Sequence, residues 1–235
     1  MSNNWDVRVL YELNSLIPSG PLAARLFASF ANNALLRGLP IFFPLVALWF
    51  SQDSRKRQSR MMVGLFATCI ATVCSLRLQS LLLLHTRPFL DPALHLQGLN
   101  LTEFGGWDHS ASFPSDTATL FFSLATVIFL ENRIAGGIAF FWSLLTVGLV
   151  RAALGWHYPS DVAGSFVLGP TVVYLITRIR FLVTAYERLV EWFEPRIYIL
   201  NALLFVFLAD AYSLFQGAHF IIYGFAAVLG HLIRP

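Results

Sequence analysis

Long apolar runs separated by short polar, arginine-bearing turns set the pattern of this chain. They predict helical spans at 33–50, 61–84, 115–130, 134–152, 161–179, 197–209 and 218–233. A span must cross about 30 Å of hydrocarbon at 1.5 Å per residue. The last two runs are short, so the expected count is six to seven transmembrane helices. Residues 16–31 are also apolar, but Pro18, Gly20, Pro21 and Arg25 interrupt them. That suits a helix lying in the interface better than one crossing the bilayer.

Composition strengthens the membrane reading. Of 235 residues, 57% are hydrophobic and 12% charged, whereas a soluble domain carries roughly a quarter charged residues. The predicted fold class is therefore all-α, a polytopic membrane helical bundle with an N-terminal interfacial helix. No internal repeat is apparent, and a single membrane-embedded domain over 1–235 is expected, with its core at about 5–180 and additional C-terminal helices at 197–233. Residues 1–14 lack the basic start and short apolar run of a cleaved signal peptide. Cys69 and Cys74 lie inside an apolar segment, as neither metal ligands nor disulfide partners. Gly136, Gly137, Gly148 and Gly164 fit close helix packing.

The net charge of +3 is explained by topology rather than by nucleic acid. Arg55, Lys56, Arg57 and Arg60 join the first two spans, and Arg178, Arg180, Arg188 and Arg196 follow the fifth. Arg133 and Arg234 fall on the same side if spans alternate, and the positive-inside rule makes that side cytoplasmic. Residues 85–114 and the turn 151–160 then face the periplasm or exterior of a bacterial inner membrane. Nearly all the chemically interesting polar residues lie there.

Three clusters stand out. In the turn from Arg151 to Asp161, His157 precedes Asp161 by four residues, so both share a face if the segment is helical. Asp161 can then hold one ring nitrogen and leave the other free as base or nucleophile; the plainer alternative is an interfacial histidine beside a capping carboxylate. Arg87-Pro88 presents a planar fork suited to phosphate oxygens, or else a snorkelling arginine. Arg77 lies deeper in the same span, where a charge is costly enough to imply function. Ser115, in Ser112-Phe-Pro114-Ser115-Asp116-Thr117, is a good N-cap. Free N–H groups at that helix start form an anion site, although taken alone the segment reads better as a purely structural cap. Together these groups could neutralise a phosphate and attack it in line.

In this order the motifs resemble the membrane-embedded type 2 phosphatidic acid phosphatase (PAP2) superfamily, over roughly residues 5–180. The family pattern is Lys-x6-Arg-Pro, Pro-Ser-Gly-His and Arg-x5-His-x3-Asp. The third part is complete here as Arg151, His157 and Asp161, and the first is present as Arg87-Pro88. Pro114-Ser115-Asp116-Thr117 is similar to the bacitracin-resistance branch, the undecaprenyl-diphosphate phosphatases, in having Asp for Gly. The resemblance implies a PAP2-type bundle that removes phosphate from lipid phosphates or diphosphates through a phosphohistidine, with no metal or cofactor. It implies His157 as nucleophile, Asp161 as its orienting carboxylate, and Arg87, Arg151 and Ser115 as a substrate clamp beside Asp116 and Thr117.

Two departures bear on activity. Thr117 replaces the histidine that protonates the leaving group, and a threonine hydroxyl is too weak an acid for that task. Ser80 replaces the lysine, a loss that Arg77 is expected to offset from one turn away. His85 and His109 are further candidates for the acid. A lipid diphosphate suits such a site, because its leaving phosphate hardly needs a proton. Three functions stay open: a lipid (di)phosphatase, a phosphotransferase whose acceptor meets the loop 91–108, and a catalytically silent lipid-phosphate binding, transport or assembly protein. Expected partners are a lipid-linked phosphate or diphosphate, membrane lipids, and a second copy or another membrane protein at the C-terminal helices.

Overall fold

The computed structural model describes residues 5–17, 20, 22, 26–29, 33–51, 54–97 and 111–212. In chain order its helices are α1 (Trp5–Asn14), α2 (Ala34–Trp49), α3 (Ser54–Leu82), α4 (Asp116–Glu131), α5 (Arg133–Ser143), α6 (Val150–Ala153), α7 (Pro159–Thr177), α8 (Arg180–Phe193) and α9 (Ile197–Tyr212). A π-helical segment, Leu144–Leu149, joins α5 to α6. The chain divides into two compact units, Met1–Arg188 and Leu189–Pro235. All site chemistry below belongs to the first.

The helix starts follow from side chains that satisfy otherwise open N–H groups. Asn33 accepts from Leu36 N, Ser115 from Ala118 N and Asn132 from Ala135 N. Within the apolar helices, hydroxyls bond back to carbonyls one turn earlier, as Thr68 does to Gly64 and Thr126 to Phe122. Such local pairing lets polar side chains sit among apolar neighbours without an unmade hydrogen bond.

Helix α4 is the centre of the bundle. Every residue from Thr117 to Ile128 is buried, and α3, α5 and α7 all pack against it. A helix apolar on every side belongs in a core. Gly169 of α7 is where the two backbones come close: a Cβ there would meet Thr119 O and Ser123 Oγ, both at 2.8 Å. Gly136, Gly148 and Gly164 likewise face near neighbours, whereas Gly137 faces open space.

The span count needs correction. Among the described residues four helical stretches are long and apolar enough to cross a membrane, Arg55–Leu82, Arg133–Ala153, Pro159–Thr177 and Arg180–Ala211, not six or seven. Length is the reason. Helices α2 and α4 have 16 residues each, about 24 Å at 1.5 Å per residue, short of the hydrocarbon thickness. Residues 180–196, read from their arginines as a linker, are helical in α8 and a 3-10 turn. The expected span at 218–233 lies outside the described residues, as does much of the interfacial segment 16–31, of which 26–29 are helical.

Residues 5–14, outside every predicted span, form α1. Asp6, Leu10 and Asn14, spaced by four, make its buried face. Asn14 Nδ2 donates to Ala153 O at 2.8 Å and Gln97 O at 2.7 Å, and Asp6 Oδ1 accepts from Ser160 N at 2.9 Å. Helix α1 thus ties both ends of the turn 153–160 that carries His157.

Replacing Gly169 by Ala should destabilise the bundle by about 1–3 kcal/mol, the usual cost of overpacking, because a backbone carbonyl blocks the new methyl. The check is a thermal melt of detergent-purified protein, with Gly137→Ala as the variant that should leave the midpoint in place. Equal midpoints for both variants would count against the close α4–α7 approach.

Candidate active site

The site begins at a turn that needs glycine. Gly155 has φ +71°, which an L side chain adopts only with strain, and a Cβ there would meet Leu96 Cδ1 at 2.7 Å. Its carbonyl accepts from Phe89 N at 2.9 Å, which binds the Arg87-Pro88 turn to the His157 turn. Residues seventy positions apart become neighbours through that contact.

His157 is wholly buried, and Arg87 and Arg151 nearly so. Arg87 Nη1 lies 3.2 Å from both Trp156 O and His157 Nε2. A guanidinium only donates, so Nε2 is the accepting nitrogen and the neutral ring carries its proton on Nδ1. That proton faces Asp161, whose Oδ2 is 3.4 Å away. Arg151 spreads over the Trp156 ring, 5.0 Å from its centroid, a cation–π contact. The π-helical segment immediately before α6 adds a residue to the turn, which re-aims the side chains that follow it, Arg151 among them.

Asp161 is held from several directions. Its Oδ2 accepts from Ser112 Oγ at 2.6 Å and from Tyr158 N at 2.8 Å. Its Oδ1 is 3.7 Å from His85 Nε2, and His85 Nδ1 is 3.1 Å from the same Ser112 hydroxyl. His85 also meets the Tyr158 ring edge-on at 4.5 Å. It therefore stands behind the carboxylate, on the Nδ1 side of His157, away from the free Nε2. Burial pushes the His157 imidazole below the ordinary histidine value; Asp161 pulls it back up, while Arg87 and Arg151 push it further down. At neutral pH the ring is uncharged and Nε2 keeps its lone pair.

The Pro114-Ser115 segment is fastened between two helices. Gln79 Nε2 and Ser75 Oγ of α3 both donate to Pro114 O, at 2.6 and 3.3 Å. Ser165 Oγ of α7 donates to Ser115 O at 2.8 Å. Ser115 itself is spent on the cap of α4. Asp116 Oδ1 folds back onto Thr117 N at 2.7 Å, and the carboxylate lies within electrostatic reach of His157, Arg87 and Arg151. Thr117 is buried with its hydroxyl 3.4 Å from the same Oδ1.

The structure thus gathers His157, Asp161, Arg87, Arg151, Ser115, Asp116 and Thr117 at one end of the bundle. It does not bring Arg77 there. Ser75 and Gln79 mark the face of α3 turned to the site, and Arg77, midway between them, is exposed on the opposite face with Ser80. A helix turns about 100° per residue, so residues two apart cannot share that face. His109, the other candidate acid, and most of the loop 91–108 lie outside the described residues.

Sequence reasoning passed over several contributors. Arg37, in the first turn of α2, is close enough to Arg151 for the two guanidiniums to repel. A charge placed in an apolar run was the available signal. Gln79 and Ser112 had no comparable signal, since their roles are hydrogen bonds to residues 35 and 49 positions away. Among the described residues no group of three or more His, Cys, Asp or Glu is arranged to hold a metal ion.

Comparison with known proteins gives three matches. The family model described as the PAP2 superfamily matches residues 61–185, more than half the chain. Undecaprenyl-diphosphatase BcrC of Bacillus subtilis (strain 168) is 30% identical over 146 residues, covering 62% of this chain and 70% of that protein. Bacitracin transport permease protein BcrC of Bacillus licheniformis is 45% identical over 60 residues, or 25% of this chain and 28% of that one. No solved structure matches. The matched family segment contains Arg87, Ser115, Arg151, His157 and Asp161, all gathered at one end of an apolar helical bundle, and the chain is a membrane-embedded member of the PAP2 superfamily.

Proposed function

We propose that this protein is a lipid diphosphatase, acting from the extracytoplasmic face of the bacterial inner membrane through a phosphohistidine on His157. The observation that carries this reading is the orientation of one ring: Nδ1 faces the buried Asp161, and Nε2 faces Arg87. An entering phosphate would take the Arg87 guanidinium onto its own oxygens and leave Nε2 aimed at phosphorus.

The steps follow from the groups present. Nε2 of His157 forms a bond to the terminal phosphorus of a lipid diphosphate. The bond from that phosphorus to the bridging oxygen breaks, and lipid monophosphate leaves with the electron pair. Asp161 stabilises the imidazolium character that develops on the ring. Water then attacks the phosphohistidine, giving inorganic phosphate and restoring neutral His157. Arg87 and Arg151 neutralise the equatorial oxygens. Arg37 supplies the third cation, in place of the lysine that Ser80 does not provide, and exposed Arg77 is left out of the clamp.

The missing acid selects the substrate. A phosphate monoester such as phosphatidic acid must expel an alkoxide, which needs a proton; lipid monophosphate leaves without one. Thr117, engaged with Asp116, is no donor for an alkoxide. The name of the Bacillus subtilis relative, undecaprenyl-diphosphatase, makes undecaprenyl diphosphate the first substrate to try.

The purified protein should release phosphate from undecaprenyl diphosphate and far less from phosphatidic acid. His157→Ala should abolish the release. Thr117→His should raise turnover of phosphatidic acid toward the 10²–10⁴-fold that a general acid typically contributes. Silence of the parent on both lipids, with activity appearing only in Thr117→His, would replace this reading by a silent lipid-phosphate binder.

The pH profile gives a separate check. Protonation of Nε2 blocks attack, and the His157 value is lowered. The acid limb of kcat/KM should therefore fall below pH 6.5, the ordinary histidine value, with activity holding as pH drops through it. A limb at or above that value would mean that the titrating group is not this buried ring.

A further inference from the structure

A second polar centre lies at the far end of the bundle, separated from His157 by the length of α4, about 24 Å for 16 residues. Glu131 ends α4 there. Arg60 holds it with two hydrogen bonds, Nε to Oε1 at 2.8 Å and Nη2 to Oε2 at 2.7 Å, and Arg57 adds an ion pair at 3.5 Å. That carboxylate is committed. Arg133 and Arg178 stand beside it, and among the described residues neither pairs with a carboxylate. Arg178 instead lies over the Tyr174 ring, 4.7 Å from its centroid.

Between these arginines opens a groove of about 660 Å³, bounded by α4, α5 and α7. Phe129, Phe140, Pro170 and Tyr174 form its apolar walls, and Arg133 and Arg178 line it too. Phe129 and Tyr174 are substantially exposed, so the groove opens sideways rather than into the core. In a membrane-embedded chain that side is hydrocarbon. Arg133 also occupies the first position of α5, where the helix dipole already presents positive potential. A cation placed there raises the field that an anion would meet.

We infer that this groove binds an anionic phospholipid, with its phosphate between Arg133 and Arg178 and an acyl chain along Phe129, Phe140 and Tyr174. The chemistry is specific in two respects. The two guanidiniums that line the groove call for a phosphate with net negative charge, and the aromatic wall calls for a hydrocarbon tail. A free anion would use only the first, and an apolar helix from another protein only the second. The lipid would belong to the leaflet opposite the His157 site, so it is neither substrate nor product there. It would wedge α5 against α7 beside the Gly169 crossing.

The test uses the full chain in detergent with equal amounts of phosphatidylglycerol and phosphatidylcholine, read by native mass spectrometry. The parent should retain phosphatidylglycerol in preference by about 25-fold, from about a factor of five for each of the two arginines. Arg133→Gln/Arg178→Gln should lose that preference, and Arg196→Gln should keep it. Because both replaced side chains are at the surface, an unchanged melting temperature without lipid would show that the double variant is folded. Equal retention of the two lipids by the parent, or a preference that survives in the double variant, would overturn the inference. So would a dimer that the double variant breaks, which would make a second copy the occupant.

Discussion

The carboxylate of Asp161 is the constraint around which the rest of this site is arranged. A wholly buried charge is tolerated only when its lone pairs are taken up. Here Ser112 Oγ, Tyr158 N, the His157 ring and His85 stand around it. They come from three places: the segment after α3, the segment before α4, and the turn that carries both His157 and Tyr158. Placing that carboxylate at the start of α7, with two hydrogen bonds to Oδ2 and two imidazoles close by, therefore brings three other segments to one place. It also sets the tautomer of His157, and the tautomer decides which nitrogen is available for chemistry.

Around that point the architecture works as a set of fasteners for short, irregular backbone. Gln79 and Ser75 hold Pro114, Ser165 holds Ser115, Gly155 joins the Arg87 turn, and α1 secures both ends of the His157 turn. Irregular backbone at membrane depth is viable only where protein groups satisfy it. The same hydrogen bonds that make the loops affordable also set the clamp geometry. Stability and site geometry rest here on the same contacts.

Charge separates the two ends of the bundle. At the His157 end, buried Arg87 and Arg151 gather beside Asp116 with Arg37 within repelling reach of Arg151, and that mutual repulsion favours an anion among them. At the other end, Arg57 and Arg60 spend themselves on Glu131, and Arg133 and Arg178 remain at a groove open to the side. The first arrangement suits a phosphate about to react. The second suits one that stays.

Much of this was legible in the chain. Apolar runs marked the helices because a span needs unbroken hydrophobicity, and the Arg151, His157 and Asp161 spacing marked a candidate site, although His157 sits in the bend before α7 rather than on a helix shared with Asp161. Pro88 and Pro114 flagged two of the loops that meet it. Spacing along one helix, however, says nothing about what lies across from it. Arg77 looked placed to replace a lysine at Ser80, yet the face of α3 turned inward is the one carrying Ser75 and Gln79. Arg37 joined the cluster from a helix some fifty residues before Arg87. The length of α4, its burial on every side and the π-helical step before Arg151 all depend on neighbours packing against them. The sequence by itself determined most of the apolar helices and which residues can do chemistry, since both follow from local composition and spacing. Only the tertiary structure decided which of those residues meet, because that depends on helix rotation and on hydrogen bonds between segments far apart in the chain.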